Sequence, residues 1–492
     1  MVDALIPQQW VSVPLNEVIQ RIVGGGTPSK AKPEYYRGEI PWMSVKDMNK
    51  HVLLDTVDHI SQEAVDNSST NVIPAGTPII ATRMSLGKIV VANFDSAINQ
   101  DLKALFLPSN LNRNYLIYWY RSIARTIEQM GTGTTVKGIR LEALKELDFS
   151  LPPLAEQKGI ADKLDILLAQ VENTKARLER IPQILKRFRQ SVLAAAVSGR
   201  LTEEWREQTC PPQVDLQKIT DLLFNDGITT GNFGKKLDRA PKYSDGELEL
   251  AIKHIEGWPF VRVGEICACI VPNRDKPKSF SGGYHWLLTP NFNEQSIYIN
   301  YRDVELGLSE KEVKDYKAKV IPEGNVVMTC VGRLGLSAVI EEPSVINQQL
   351  HAFIVNKNIL SEYLSFCIRA NRRFYESRST STTVNYLNKL ACNSLPIPLP
   401  TISEQTEIVR QVDQLFAYAD RIEQQVNNAL ARVNNLTQSI LAKAFRGELT
   451  EQWRKDNPDL ISGENSAEAL LERIKAERAE AKPAKRSRKV SA

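Results

Sequence analysis

Three short segments carry side chains of the types that enzymes use. Glu312-Val-Lys314 has the acid-x-lysine spacing of a nuclease centre, but it lies in a Lys- and Glu-rich stretch that is typical of a solvated helix face. Thr289-Pro-Asn-Phe292 is not the Asn/Asp-Pro-Pro-Tyr/Phe turn with which adenine methyltransferases hold a flipped base. Cys267-Ala-Cys269 lacks the spacing of a zinc site, and the histidines do not cluster in sequence. We therefore predict a chain that is not a catalyst and binds no metal.

A second group of side chains suits contact with nucleic-acid phosphates. The loops Gly24 to Tyr36 and Gly131 to Gly138 combine backbone amides, hydroxyls, lysines and tyrosines, which are donors that position DNA. Neither loop has the Gly-Lys-Ser/Thr of a nucleotide-binding P-loop. The candidate DNA contacts are Lys30, Lys32, Tyr35, Tyr36, Lys46, Arg83, Lys88, Thr134, Lys137, Arg274, Lys276, Lys278, Arg333 and Thr382. For each of them an ordinary solvated side chain is the alternative.

Composition limits the class of protein without announcing a nucleic-acid partner. The 492 residues include 62 basic and 58 acidic side chains, for a net charge of +4. Dedicated DNA-binding domains usually have a stronger basic excess. A DNA-binding function would thus require either charge focused on one face or a partner that supplies part of the contact.

The sequence shows neither a membrane-spanning run nor a signal peptide. No stretch approaches the roughly 20 apolar residues that span a bilayer. The first residues lack the basic and apolar regions of a secretory signal. Six cysteines in so long a chain do not indicate a disulfide framework. We expect a soluble cytoplasmic protein with reduced thiols.

The chain contains a tandem duplication with an offset of 248 residues. Residues 151–207 and 399–455 align without a gap, and 19 of 57 positions are identical. The same offset relates Ile98-Asn-Gln100 to Ile346-Asn-Gln348, and Val72-Ile-Pro-Ala-Gly76 to Val320-Ile-Pro-Glu-Gly324. Each copy is a globular segment followed by a helix. Two copies favour a pseudo-two-fold molecule, which suits a partner with two-fold character.

Both predicted helices carry a heptad stripe. Apolar residues alternate at steps of four and three from Ile160 and from Ile408, over four to five heptads. A helix of about 43 residues is roughly 65 Å long and cannot bury this stripe alone, so we predict an antiparallel coiled coil of the two. Pro182 predicts a bend near Ile181 in the first helix only. The predicted interface residues are Ile160, Leu164, Leu167, Val171, Leu178, Leu185, Ile408, Val412, Leu415, Ile422, Val426, Val433 and Leu436.

These elements define the predicted fold class as α+β. Two mixed α/β domains are separated by two long antiparallel coiled-coil helices in a pseudo-two-fold arrangement. The globular domains have diverged much more than the helices, as expected if each binds a different target on one scaffold. The predicted boundaries are 1–150 and 258–398 for the domains, 151–207 and 399–455 for the helices, 208–257 for a linker, and 456–492 for a tail that is first helical and then basic and disordered.

Several motifs resemble those of one known family. Gly25-Gly-Thr-Pro-Ser29, Gly38-Glu-Ile-Pro-Trp42, Thr134-Thr-Val-Lys137 and Leu151-Pro-Pro-Leu-Ala-Glu-Gln157 resemble target recognition motifs of type I restriction–modification specificity subunits. The helix segments 181–190 and 427–438 and the tail segment 457–465 resemble its enteric K-like group, also known as type IA. The second domain lacks the Gly-Gly-Thr-Pro-Ser run, so its contacts cannot be transferred by motif.

The resemblance implies a non-catalytic DNA-recognition subunit. Each target recognition domain would read one half of a bipartite double-stranded DNA site through base edges and groove shape. The helices would set the spacer between the halves and dock two methyltransferase subunits, with restriction–translocase subunits in the larger complex. The chain itself would bind no cofactor. S-adenosylmethionine, ATP and Mg would belong to its partners, which methylate adenine N6 and restrict DNA.

Two alternatives remain open from the sequence. The chain could be a self-contained nuclease with an unrecognised active site, which cleavage by the purified chain alone would reveal. It could also be a scaffold in which the coiled coil is the working part and the domains bind proteins. The DNA bases recognised and the spacer length cannot be read from the sequence.

Overall fold

The structure is a computed structural model that describes residues 6–49, 52–133, 137–215, 257–272, 276–379 and 384–481. The chain divides into two compact units. The first unit comprises Met1–Leu178 and Asn428–Ala492, and the second comprises Glu179–Asn427. Each unit therefore contains segments from both sequence repeats. The predicted linker lies mostly outside the described residues, and so does the basic segment that follows residue 481.

The first unit contains two sheets and a two-stranded ribbon. The ribbon pairs Val11–Pro14 with Asp148–Leu151 and closes the globular part. One sheet has the order Arg21–Gly24, Leu102–Phe106, Pro78–Ala81, Ile89–Ala92 and Val52–Leu53. The other has the order Asp58–Ile60, Ile40–Met43, Ser96–Ile98 and Asn71–Ile73, with its two central strands parallel. Pro78–Ala81 and Ile89–Ala92 are buried throughout, which explains their continuous apolar sequence.

The helices of the first unit pack around this core. They are Leu15–Val18, Gln62–Asp66, Arg113–Ser122, Ala124–Met130, Leu141–Lys145, Leu154–Leu178, Glu451–Asp456 and Ala467–Glu480, with short 3₁₀ turns at Pro33–Tyr36, Val45–Asp47, Glu448–Thr450, Pro458–Leu460 and Gly463–Asn465. Within the predicted tail the structure has the helix Ala467–Glu480, and its Leu470, Leu471 and Ile474 enter the main core of the unit. Glu477 accepts hydrogen bonds from the backbone N–H and the hydroxyl of Ser109.

The second unit repeats the sheet plan of the first, without a counterpart to the edge strand Val52–Leu53. Its ribbon pairs Phe260–Arg262 with Pro396–Pro398. One sheet has the order Ala268–Ile270, Leu350–Ile354, Val326–Thr329 and Ser337–Val339, and the other has the order Gly307–Leu308, Tyr284–Leu287, Ser344–Ile346 and Val320–Ile321. Tyr284–Leu287 and Ser344–Ile346 are parallel, as their counterparts are in the first unit. The duplication therefore extends to strand order and direction.

The helices of the second unit also follow the repeat. They are Ile181–Val197, Glu203–Thr209, Val263–Ile266, Glu310–Asp315, Ser361–Ala370, Arg372–Ser377 and Lys389–Asn393, with 3₁₀ turns at Thr289–Asn291 and Tyr301–Asp303. The helix Ile402–Phe445 is continuous over 44 residues, and its first part belongs to this unit.

The first long helix is interrupted, as the position of Pro182 predicted. It consists of Leu154–Leu178 and Ile181–Val197, and Pro182 stands in the first turn of the second segment, where its missing N–H has no helical partner to lose. Both long helices end before a glycine with left-handed backbone, Gly199 at φ 71° and Gly447 at φ 76°.

Antiparallel helix pairing is visible within each unit. In the first unit Ile160 and Leu164, near the start of one helix, share a core with Leu441 and Ala444, near the end of the other. In the second unit Val192 and Ala196 share a core with Ile408 and Val412. The predicted α+β fold with paired long helices is confirmed.

The predicted interface positions are buried to different extents. Ile160, Leu164, Val171, Leu185, Ile408, Val412 and Val426 are buried, whereas Leu167, Leu178, Leu415, Ile422 and Val433 are half-buried. Leu436 remains 46% exposed. Burial along the stripe therefore extends beyond the positions that join the two large cores.

Candidate nucleic-acid interface

In the first unit, a turn at Asn99–Asp101 holds two neighbouring loops. The Asn99 side chain accepts the N–H of Asp101 at 3.1 Å, and the carbonyl of Asp101 accepts the N–H of Thr82 at 2.8 Å. The N–H of Met84 then donates to the carbonyl of Lys137 at 3.0 Å, and Arg83 forms a β-bridge with Gly138. We call residues 82–88, 99–103 and 137–139 the first loop cluster.

The second unit builds the same arrangement 248 residues later. Asn347 accepts the N–H of Gln349 at 3.1 Å, and the carbonyl of Gln349 accepts the N–H of Cys330 at 2.9 Å. The N–H of Gly332 donates to the carbonyl of Asn385 at 2.9 Å, and Val331 bridges Tyr386. We call residues 330–336, 347–351 and 385–387 the second loop cluster. The Ile-Asn-Gln repeat noted in the sequence therefore marks one hydrogen-bonded frame that is used twice.

Cations line the first loop cluster. Arg83 is 60% exposed and lies 3.6 Å from the Asp101 carboxylate. Lys137 is exposed, and Lys88 donates to the Asn49 side chain at 2.6 Å. Lys103 donates to the carbonyls of Gln100 and Leu102, and partial burial lowers its pKa. An exposed, mixed cationic surface of this kind fits a phosphate backbone.

Sequence reasoning missed Lys103, although a signal was present. It follows the Ile98-Asn-Gln100 motif by three residues and lies opposite Gly24 in the sheet, beside the glycine loop. The hydroxyl of Thr27 in that loop also donates to the side chain of Gln100. The glycine loop is therefore attached to the first loop cluster.

The glycine loop is held in place by close packing and by hydrogen bonds to its carbonyls. A Cβ on Gly25 would lie 1.9 Å from the carbonyl oxygen of Ile98, so only glycine fits. Its carbonyls accept hydrogen bonds at Gly24 from Asn71, at Gly26 from Thr70 and Trp42, and at Pro28 from Tyr36. These contacts give the loop a structural role and fix its position.

The remaining candidates of the first unit have defined surroundings. Tyr35 is buried, and its hydroxyl accepts a hydrogen bond from Lys32 at 2.9 Å. Tyr36 packs edge-on against Trp42. Lys46 forms an ion pair with Asp58 at 2.8 Å, and Lys30 is exposed. Thr134 lies outside the described residues.

The candidates of the second unit are dispersed. Lys276, Lys278 and Arg333 are exposed, and Arg333 donates to the carbonyl of Phe292 at 3.4 Å. Arg274 and Thr382 lie outside the described residues.

Each unit also contains a buried carboxylate that the sequence analysis did not single out. In the first unit Glu156, with no exposed side-chain surface, accepts hydrogen bonds from Trp10 at 2.8 Å, Thr450 at 2.6 Å and Arg454 at 2.6 Å. Arg454 also donates to the carbonyl of Gly447. We call this set the first carboxylate knot.

The second carboxylate knot has the same chemistry. Glu404 accepts from Trp258 at 3.0 Å, from Thr202 at 2.8 Å and from Arg206 at 2.6 Å. Arg206 donates in turn to the carbonyl of Gly199. Both knots tie the start of a globular part to the start of its helix. The signals were the shared Trp, Glu-Gln and Leu-Thr-Glu-x-Trp-Arg repeats.

Glu312 requires one correction. The sequence analysis placed it on a solvated helix face, but its carboxylate accepts the N–H groups of Ser281 and Ser309 at 3.0 and 2.8 Å. The N–H of Glu312 donates in turn to Ser309 Oγ at 3.4 Å, which completes a capping box with the bond from the Ser309 N–H. The hydrogen bond from the Ser279 hydroxyl, together with those from Ser309 and Ser281, lowers the pKa of Glu312 to about 2. Its carboxylate thus caps the helix Glu310–Asp315.

Within the part of the chain that the structure describes, no three His, Cys, Asp or Glu side chains are grouped as a metal site. In that same part, no helix is long and apolar enough to cross a membrane.

Comparisons with known proteins fit these observations. The model of the family described as "Type I restriction modification DNA specificity domain" matches residues 7–183 and 255–432. The EcoDI specificity subunit of Escherichia coli is 36% identical over 496 residues, covering 99% of each chain. The EcoKI specificity subunit of E. coli strain K12 is 41% identical over 399 residues, covering 79% of this chain and 74% of its own.

Solved structures share the fold. The HsdS subunit from Thermoanaerobacter tengcongensis superposes with a TM-score of 0.54 at 18% identity, over 90% of this chain and 98% of that one. A chain from a structure on assembly and conformational transition of the type I restriction–modification system gives a TM-score of 0.58, also at 18% identity, over 90% of this chain and 99% of that one.

The chain therefore belongs to the type I restriction–modification DNA specificity family, as its motifs predicted. Proteins of this class are DNA-recognition subunits without catalytic activity, so the predicted functional class is confirmed as well.

Proposed function

We propose that this chain directs a type I restriction–modification complex to a bipartite DNA target. The globular part of each unit reads one half-site, and the long helices set the spacer and dock two methyltransferase subunits. The observation that carries the proposal is the repeated loop cluster. One hydrogen-bonded frame presents different side chains in the two units, as two readers of different half-sites require.

The side chains that we propose as DNA contacts are the exposed cations of this frame and its surroundings. Arg83, Lys88 and Lys137 serve the first half-site, together with Lys103. Arg333 and the exposed Lys276 and Lys278 serve the second. The other candidate residues named from the sequence also remain proposed DNA contacts. We also retain the domain boundaries proposed from the sequence.

The partners follow from this role. Restriction–translocase subunits join the methyltransferase subunits in the full complex, and S-adenosylmethionine, ATP and Mg are bound by those partners. Because contact with DNA is shared with them, a specificity chain needs no large basic excess, which agrees with the net charge of +4. The complex would work in the cytoplasm.

The proposal is tested by co-expressing the chain with its cognate methyltransferase in a methylation-free host and mapping N6-methyladenine. We expect a gapped motif of two short halves. In a matched variant, the segment of the EcoKI specificity subunit that aligns with residues 1–150 replaces those residues. This variant should change one half and leave the other half and the spacer intact. A change in both halves would contradict modular reading.

Other outcomes identify the alternatives. A soluble complex that neither methylates nor binds DNA would favour the scaffold. Metal-dependent DNA cleavage by the purified chain alone would favour the nuclease.

We further propose that the chain belongs to the K-like group, on the strength of its similarity to the EcoKI subunit over most of both chains. Productive pairing with the EcoKI methyltransferase in the same host tests this assignment. Methylation with the cognate methyltransferase but none with that of EcoKI would place the chain in another group.

A further inference from the structure

Met84 has two unusual properties for a methionine. Its side chain is 64% exposed, and its backbone has φ 61°, in the left-handed region that side chains with a Cβ seldom adopt. A residue keeps such a conformation only where its surroundings determine it, and residues of this kind concentrate at functional sites. Both features need an explanation, since an exposed methionine could be replaced by glycine at no packing cost.

The surroundings of Met84 do fix its backbone. Its N–H donates to the carbonyl of Lys137 at 3.0 Å, and the preceding Arg83 is bridged to Gly138. On the other side, the N–H of Ser85 donates to the carbonyl of Arg83 at 2.7 Å. Met84 therefore projects from a tied loop rather than from a mobile one.

The charges beside Met84 indicate what it meets. Arg83 precedes it in the chain, the Lys137 carbonyl binds it, and Lys88 follows four residues later, each with an exposed side chain. Arg83 has one carboxylate neighbour, Asp101, at 3.6 Å. An apolar side chain flanked by cations matches duplex DNA, in which stacked bases lie between two lines of phosphate.

The second unit supplies an internal comparison. Gly332 occupies the equivalent position with φ 74°, and nothing lies within 4 Å of the place where its Cβ would be. Glycine adopts this backbone without strain. The frame thus accepts the residue with the lower conformational cost, yet the first unit carries methionine at that point.

We propose that Met84 is a specificity-determining residue that inserts its side chain at a base step of the half-site read by the first unit. Methionine is among the apolar side chains that enter base steps, and insertion favours steps that unstack easily. Met84 would thereby select sequence through the deformability of that step, without a hydrogen bond to a base edge. Gly332 leaves the second half-site without this contact. The inference rests on the proposed DNA-reading function.

The test uses the full complex with its methyltransferase subunits and duplexes carrying the motif found by methylation mapping. 2-Aminopurine replaces each adenine of both half-sites in turn. Besides the rise at the adenine that a methyltransferase subunit flips, we expect fluorescence to rise at one further step of the first half-site with the natural chain. Met84→Gly should abolish that rise, weaken binding of the target by about tenfold and leave binding of unrelated DNA unchanged. Met84→Leu should retain both the signal and the affinity.

Folding is controlled by the same substitution. Met84→Gly relieves a left-handed backbone, so its thermal midpoint should equal or exceed that of the natural chain. A loss of target discrimination in a chain of undiminished stability cannot come from misfolding. Gly332→Met is the reciprocal variant, and it should create a new fluorescence signal in the second half-site.

The outcomes separate the inference from the proposed function. If the natural complex binds its target but shows no unstacked step besides the flipped adenine, or if Met84→Gly binds as the natural chain does, the inference is wrong and the proposed function stands. If the natural complex has no sequence preference at all, the proposed function fails and the inference fails with it.

Discussion

The two loop clusters share a hydrogen-bonded frame and differ in charge at several equivalent positions. Arg83, Lys88, Asp101, Lys103 and Lys137 in the first unit correspond to Val331, Leu336, Gln349, His351 and Asn385 in the second. The backbone bonds that join the loops are 2.8 and 3.0 Å long in the first unit and 2.9 Å each in the second. The frame is therefore independent of the side chains that it carries.

His351 shows how far the two units have separated chemically. In place of the half-buried Lys103, this imidazole is buried, and burial lowers its pKa to about 3. Its Nε2 lies 2.7 Å from the Cys269 sulfur and 3.1 Å from the Asn393 side-chain oxygen. A cation in one unit is thus replaced by a neutral core residue in the other.

The largest expected effect comes from the carboxylate knots, which have the same chemistry in both units. Glu156→Ala should remove about 3–5 kcal/mol from the first unit, because Arg454 would be left as a buried charge without its partner. Glu404→Ala should do the same to the second unit. Differential scanning calorimetry measures both, and each variant should shift only one of two transitions.

The control for these variants is Glu451→Ala, which removes an exposed carboxylate paired with Lys455 at 2.8 Å. Such a pair contributes less than about 1 kcal/mol. A shift of both transitions by one knot variant would contradict the prediction that each knot stabilises only its own unit.

A smaller effect separates the units by pH. The pKa of His351 in the folded chain lies below the unfolded value of about 6.5, so the unfolded chain takes up the proton first. The stability linked to neutral His351 is complete above pH 6.5. It is lost as the pH falls toward 3, at about 1.4 kcal/mol per pH unit. Lowering the pH from 6.5 to 5 should destabilise the second unit selectively, and chemical unfolding at each pH measures this loss.

His351→Gln provides the matched variant for the pH series, since glutamine does not titrate. Its second unit should lose this part of the pH dependence. The neighbouring Lys389, whose charge also lowers the pKa of His351, stays in place in both chains. An unchanged slope in the variant would show that the pH dependence arises elsewhere.

The smallest effect exchanges a charge between the two frames. Lys137→Asn installs the residue of the second unit in the first, and Asn385→Lys does the reverse. Each phosphate contact changes the slope of log K against log salt by about one, so the slope should become shallower in the first variant and steeper in the second. Filter binding or fluorescence anisotropy at roughly 50 to 200 mM salt measures this slope.

Lys158→Asn controls for net charge, because Lys158 is exposed on the long helix outside both loop clusters. Equal slopes for Lys137→Asn and Lys158→Asn would show that Lys137 does not contact DNA phosphates.

The sequence predicted the repeat, the helices and the family, because these depend on patterns along the chain. It could not predict which carboxylate each arginine meets. Arg206 and Arg454 stand in identical motifs, and either could pair with Glu156 or Glu404. The structure pairs Arg454 with Glu156 and Arg206 with Glu404. That choice depends on packing in three dimensions.

The same limit applies to the individual binding residues. Tyr35 and Lys30 are both plausible contacts in sequence, yet Tyr35 is buried and Lys30 is exposed. Met84 has no sequence signature at all, since only its backbone conformation distinguishes it.

The carboxylate knots determine which unit of the protein a truncating mutation disrupts. Thr450 and Arg454, encoded in the second repeat, complete the first carboxylate knot with Trp10 and Glu156 of the first repeat. A premature stop codon or frameshift shortly before codon 450 would therefore disable the half of the protein that the ribosome makes first. The loss would fall on the first half-site, while the unit encoded in the middle of the gene would keep all of its own parts.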